Sequence, residues 1–274
     1  MRFAARLAFT ILALSLAASC ALCQDSEKDA SYWLSQAESD YNQGSYSMAL
    51  DDIDEYLELN STDVWAWNFR ANMAIKLKRY SEAVDSFDQV ISLDGSNAQA
   101  YNDRALILSG GLRRHEEALE SIDMALQIDP GSASAWFNRG VILEDLERYD
   151  EAALAYNQSA VLDATHDKTW YRMGLVFAKM GSYEQALSNL DRAIQLNGEN
   201  AEAWNVKGLI YKEKNQLSQA VSCFERAVAI DPARAEFKRN LRETSEASAD
   251  NSTENATVNA TAVQEIAANG SLES

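Results

Sequence analysis

The 274-residue sequence predicts an all-α chain of repeated helix pairs, and three observations carry that expectation. Two Pro and 11 Gly are too few for a many-turned β architecture. A large aromatic recurs at Trp33, Trp67, Tyr101, Trp136, Trp170 and Trp204, at spacings of 34, 34, 35, 34 and 34 residues. Small residues keep the same phase: Ala37, Ala71, Ala105, Gly140, Gly174 and Gly208 follow each aromatic by four. An apolar fraction of 47% suffices for a packed core.

Taken in order, the chain opens with MRFAAR and an apolar run, LAFTILALSLAA at 7–18. A positive start, a short apolar stretch and small residues after it read as an export signal over 1–23. The run is too short to span a bilayer, and nothing downstream is longer. Its removal takes Arg2 and Arg6 and moves the net charge from −18 to −20. The preceding LAAS makes Cys20 a candidate lipidation site, similar to a lenient bacterial lipobox with Ala17 where Leu is typical. Cys223 lies in a helical apolar pattern and reads as a small core residue.

Six units follow, at about 30–63, 64–97, 98–132, 133–166, 167–200 and 201–234. Each begins with a helix that carries the aromatic and the small residue on one face. A turn leads to a second helix with small residues at Ala49, Ala83, Ala118, Ala152, Ala186 and Ala220. Small residues let antiparallel helices approach closely, and the aromatic fills the space between pairs. Units end in LN, LD or ID, where the Asn or Asp side chain can hold nearby backbone amides in a turn. Pro130 and Pro232, the chain's two prolines, both sit at this phase. The 35-residue unit holds its extra residue in LSGGLRRH, 108–115.

This pattern resembles the tetratricopeptide repeat family over about residues 30–234. Ala37 stands where Gly is usual, Asp40 where a large residue is usual, and Tyr101 where Trp is usual. The resemblance implies a right-handed helical solenoid over 24–247, each unit touching its neighbours, closed by a polar-backed capping helix at 235–247. Phe237 and Leu241 would face inward there. It further implies a concave groove lined by the second, fifth, sixth and ninth positions of each unit. Candidate groove contacts are therefore Trp65, Asn68, Asn72, Asn102, Phe137, Asn138, Lys168, Tyr171 and Arg172.

Some members of the family hold a peptide's C-terminal carboxylate in a clamp. Asn138, Lys168 and Arg172 match that pattern, whereas Asn102 and Leu106 depart from it. Lys168 and Arg172 then form a weaker anion-preferring spot, unless they pair with acids such as Asp167. Trp65, Phe137 and Tyr171 are the better acceptors of a partner's apolar side chains, unless they pack on their groove neighbours.

The tail at 248–274 has no aromatic, no Lys and no Arg, and reads as disordered. Its sequons make Asn251, Asn255, Asn259 and Asn269 candidate glycosylation sites, with Asn60 a fifth in an inter-repeat turn. Asn157 also begins a sequon, but inside a helix that would not present it. A net charge of −18 excludes phosphate-backbone binding and adsorption to anionic lipid. His115 and His166 read as solvated turn residues without ligand-spaced partners, and no nucleophile or phosphate-loop motif appears. The expected function is a non-catalytic protein–protein interaction scaffold outside the cytoplasm, secreted or on the cell surface. It needs no cofactor and takes a peptide or a partner helix. A lipid-anchored envelope or pilus-type assembly factor is the alternative. A regulatory subunit or enzyme is a third class, for which no residues volunteer.

Overall fold

A computed structural model describes residues 29–249. The export segment with Cys20, and the sequons at Asn251, Asn255, Asn259 and Asn269, lie outside the described residues. Every regular element among the described residues is a helix. The stretch expected to form one domain divides into two compact units between Ser121 and Ile122.

The first unit holds α1 (Ala30–Asn42), α2 (Tyr46–Leu59), α3 (Val64–Lys76), α4 (Tyr80–Leu93) and α5 (Ala98–Leu106). A π-helical turn, Ile107–Gly111, extends α5. The division falls inside α6 (His115–Ile128). The second unit holds α7 (Ala133–Asp145), α8 (Tyr149–Leu162), α9 (Asp167–Lys179), α10 (Tyr183–Leu196), α11 (Ala201–Glu213) and α12 (Leu217–Ile230). A last helix, α13, covers 235–249, two residues beyond the expected end at 247. Ser248 and Ala249 continue it because neither breaks a helix, and helix ends are specified only to within a residue or two.

Odd-numbered helices from α1 to α11 start on polar side chains. Asp29, Asp63, Asn97, Ser132 and Asn200 each accept a bond from a first-turn amide, satisfying donors that the helix leaves open. The turn inside each pair passes once through left-handed backbone, at Gly44, Lys78, Arg113, Glu147, Gly181 and Asn215. The turns between pairs use the expected acid or amide: Asp94 accepts from Ser96, Asp163 from Thr165, and Asp129 from the Gly131 amide. The inserted residue of the third repeat is absorbed by the π-turn, whose wider ring bonds Leu112 N–H to the Ile107 carbonyl at 3.1 Å.

Close approach is literal in the second unit. A Cβ on Gly140, Gly174 or Gly208 would lie 2.5, 2.8 or 2.6 Å from the side chain of Tyr156, Leu190 or Phe224. In the first unit, Ala37, Ala71 and Ala105 fill the same positions at zero exposure. The indoles of Trp67, Trp136, Trp170 and Trp204 each donate to a carbonyl six residues earlier, which pins the frame aromatic to the inter-repeat turn. The capping helix seals the last pair with Phe237, 2% exposed against Ala201 and Ala227. Burying that ring contributes about 2–3 kcal/mol. Asn240 of α13 donates to Asn205 at 2.9 Å, so the polar group buried beside it is satisfied. Cys223 is buried, and burial pushes its thiol pKa up, consistent with a core role.

Candidate functional site

In the first unit the groove-phase residues of α3 meet α1 through aromatic rings. Trp65 stacks on Phe69 at 5.1 Å with 20° between planes. Phe69 meets Tyr41 edge-on at 5.5 Å, and Tyr41 lies 5.9 Å from Tyr46. Trp65 remains 47% exposed and Tyr41 39%, so the cluster presents open ring faces to solvent. Asn68 and Asn72 turn their amide N–H groups onto carbonyls one turn back, at 2.8 and 3.0 Å. Asn102 is not an open groove contact: it is 7% exposed and donates to Asp103 at 3.0 Å. Leu106, by contrast, is exposed beside it. Tyr41 was not among the expected contacts. The signal for it was Asp40, which stands where a large residue is usual and displaces the ring by one position.

In the second unit the same positions are largely occupied from within. Phe137 lies between Tyr156, at 5.7 Å, and His166, edge-on at 5.1 Å. His166 also bonds Thr169 Oγ1 at 2.8 Å, and His115 bonds Ser109 Oγ at 2.9 Å. Both histidines are half-buried structural residues, not the solvated ones expected, because each turn places a hydroxyl within reach. Asn138 and Tyr171 are half-buried, and burial raises the Tyr171 pKa. Lys168 is exposed.

The anion spot expected at Lys168 and Arg172 does not form as a pair. Arg172 Nη1 donates to Glu144 Oε2 at 3.2 Å, and Lys179 Nζ to Glu144 Oε1 at 3.0 Å. The Tyr156 hydroxyl donates to the same Oε2 at 3.1 Å. The Glu144 side chain is 6% exposed, so this carboxylate is the buried anion that Arg172 serves. Asp167, the acid expected beside Arg172, instead accepts from Asn197 at 2.9 Å. Burial opposes charge on Arg172, yet Glu144 and then Tyr156 hold its pKa above the ordinary value. Burial, followed by the Glu144 charge, pushes the Tyr156 hydroxyl well up. Glu144 lies eight residues after Trp136, as Tyr41 lies eight after Trp33. The twelfth residue of one repeat thus meets the sixth of the next in both places: Tyr41 on Phe69, Glu144 on Arg172.

A second series of cations runs through both units. Arg70 pairs with Asp54, Arg104 with Asp88, Arg139 with Asp123 and Lys207 with Asp191, always sixteen residues apart. Arg70 reaches on to Ser86 Oγ at 2.8 Å, so one guanidinium ties α2 to α4. Arg70, Arg139 and Lys207 also lie over the frame rings of Trp67, Trp136 and Trp204, at 5.9, 5.9 and 5.6 Å.

Asn60 ends α2 in an inter-repeat turn, where its carbonyl accepts from Asp63 N–H at 3.2 Å; it is half-buried. Among the described residues, no cluster of three His, Cys, Asp or Glu side chains is placed to hold a metal, and no helix is long and apolar enough to cross a membrane.

The family model for the tetratricopeptide repeat matches residues 34–98, 70–133, 110–167 and 171–239. No curated protein matches the sequence. Among solved structures, the type IV pilus biogenesis factor PilW is similar at 20% identity, with a TM-score of 0.65 over 77% of this chain and 98% of that one. PilF of Pseudomonas aeruginosa is similar at 18% identity, TM-score 0.63, over 79% and 98%. YrrB, described as having an unusual peptide-binding site, is similar at 20% identity, TM-score 0.58, over 68% and 96%. At these identities the likeness is one of fold.

Proposed function

The chain belongs to the tetratricopeptide repeat family, and from that premise we propose that it is a non-catalytic scaffold that binds a peptide or a partner helix. The observation that carries this reading is the ring cluster of Trp65, Phe69 and Tyr41, in which Trp65 and Tyr41 are exposed and Phe69 is half-buried between them. Rigid aromatics that keep open faces beside a polar surface are the usual anchors of an interface. Asn72 and Leu106, both exposed, extend the surface with one polar and one apolar contact. The second unit's Arg172 is a weaker contact, because its charge is already paired with Glu144 through Nη1.

A peptide array probed with the full chain tests the reading. Peptides captured by wild type should bind Trp65→Ala about tenfold more weakly, with an unchanged circular dichroism spectrum. Equal capture by Trp65→Ala, Tyr41→Ala and wild type would remove this cluster from recognition.

The same proposal places the protein outside the cytoplasm, on the strength of the apolar run at 7–18 behind Arg2 and Arg6. Asn60 and the four tail sequons are then open to glycosylation. A second reading, a lipid-anchored assembly factor of the envelope, is favoured by Cys20 and by the fold likeness to PilW and PilF. Mass spectrometry of the mature N-terminus separates the two. A start near Gln24 supports the secreted form, and a diacylglyceryl group on Cys20 supports the anchored one.

A further inference from the structure

The ladder of ion pairs sixteen residues apart has a gap in the second unit. At the step from α8 to α9 its two positions hold Asn157 and Met173, which form no ion pair. Met173 is 4% exposed and reaches no further outward, whereas Arg70 at its step bridges two successive second helices. At this step a cleft of about 530 Å³ lies between α8 and α10, floored by α9. Trp170, Met173 and Phe177 form that floor, and Leu154 and Met180 stand on its walls. Trp170 also lacks the cation that covers Trp67, Trp136 and Trp204, among the described residues.

The outer wall of the cleft is unusual for a solvent-facing helix. Surface helices keep one apolar stripe and one polar face. On α8, Ala152, Ala155 and Tyr156 face the core, yet Leu154 and Val161 on the outside are 67% and 71% exposed. They lie seven residues apart, two helical turns along one face of α8, and Leu154 lines the cleft.

The one charged residue that lines the cleft is acidic. α8 carries Asp150 and Glu151 and no Lys or Arg. Glu151 is paired with Arg148, while Asp150 lines the cleft and has no cationic partner among the described residues. The remaining polar lining is neutral, and the whole chain is at −18.

We propose that this cleft is a second docking surface, separate from the aromatic cluster, and that it takes an amphipathic helix with basic flanks. The apolar stripe of such a helix would cover Leu154 and Val161 and insert a side chain over Trp170 and Met173, while its basic residues meet Asp150. A missing rung leaves the frame tryptophan bare, and the bare tryptophan is the floor of the site. The proposal stands whether or not the aromatic cluster of the first unit binds anything.

The test uses the full chain and a fluorescein-labelled model helix of about 18 residues, made of leucine on one face and lysine on the other. A scrambled peptide of the same composition is the control for general attraction to an acidic protein. Wild type should bind the amphipathic peptide and not the scrambled one. Asn157→Asp/Met173→Arg, which restores the rung with no change in net charge, should weaken binding about tenfold or more. Leu154→Gln should weaken it in the same direction, and Trp65→Ala should leave it unchanged. If the double variant loses its helical spectrum, Leu154→Gln decides alone, at a site exposed enough to tolerate the change. Unchanged affinity in the folded cleft variants overturns the proposal, and so does equal binding of the scrambled peptide. A wild-type dimer in sedimentation that Leu154→Gln dissolves would also overturn it, since a second copy would then be the occupant.

Discussion

Phe69 and Arg172 hold the same position in their repeats, and each meets the twelfth residue of the repeat before it. In the first unit that partner is Tyr41, and the result is a ring cluster with open faces. In the second unit it is Glu144, and the result is a buried carboxylate enclosed by a guanidinium, an ammonium and a phenol. One geometric slot therefore yields a surface in one unit and a brace in the other. Trp65 stacks one face on Phe69 and Tyr41 meets Phe69 edge-on, yet Trp65 and Tyr41 stay 47% and 39% exposed, so ring surface remains for a partner to cover. A buried charge instead draws donors onto itself, and a donor so engaged is less available to a ligand.

The largest expected effect follows from removing the brace. Glu144→Ala should lower unfolding free energy by about 2–3 kcal/mol, below the full cost of breaking a buried pair, because Arg172 and Lys179 are 38% and 39% exposed and can rehydrate. Tyr41→Ala, in the equivalent slot, should cost about 1 kcal/mol. Urea unfolding measures both. A double-mutant cycle of Glu144→Gln with Arg172→Met should return a coupling of about 1 kcal/mol or more, and a coupling near zero would dissolve the contrast.

The next effect concerns the small residue after each frame aromatic. Gly140→Ala should destabilise by about 1–3 kcal/mol, since the added carbon would overlap the Tyr156 ring that also serves Glu144. Ala71→Gly, at the matching position of the first unit, should cost only about 1 kcal/mol through helix propensity. Equal losses at the two sites would mean that the units do not differ in closeness of packing.

A smaller effect of opposite sign is expected in the turns. Glu147 adopts φ 58°, where Gly181 in the next repeat adopts 74°. Glu147→Gly should stabilise by about 0.5–1 kcal/mol by relieving the left-handed strain, readable as a higher melting temperature.

The smallest effect is a pH dependence shared by both units. Asp94 and Asp163 sit below the ordinary 3.8, held down first by the side chains of Ser96 and Thr165 and then by backbone amides. A carboxyl lowered on folding stabilises above its unfolded pKa, and loses that contribution as pH falls through the folded value. Melting curves of Asp94→Asn and Asp163→Asn should therefore approach wild type as pH falls below about 3.8. A gap that widens on acidification would reverse the sign.

Much of this molecule is local. The Asp or Asn closing each unit acts within one turn of its own position, and the small residue four after each aromatic acts on the second helix of its own pair. Helix pairing and turns could thus be read directly, as Asp94, Asp129 and Asp163 bear out in their own loops. The candidate site was legible only in part. Trp65 stays open, but Asn102 turned inward and Arg172 went to an acid 28 residues away, not to its neighbour Asp167. The missing rung at Asn157 and Met173 was written in the sequence, but its meaning appeared only once the other rungs were seen to close on acids sixteen residues away.

What the sequence determined by itself is the repeated helix pair, because propensity, capping and hydrophobic period are properties of short segments. What the tertiary structure decided is which polar groups are spent and which remain. That outcome depends on burial: Glu144 becomes a strong partner only where packing removes it from water, and packing is set by neighbours from other repeats.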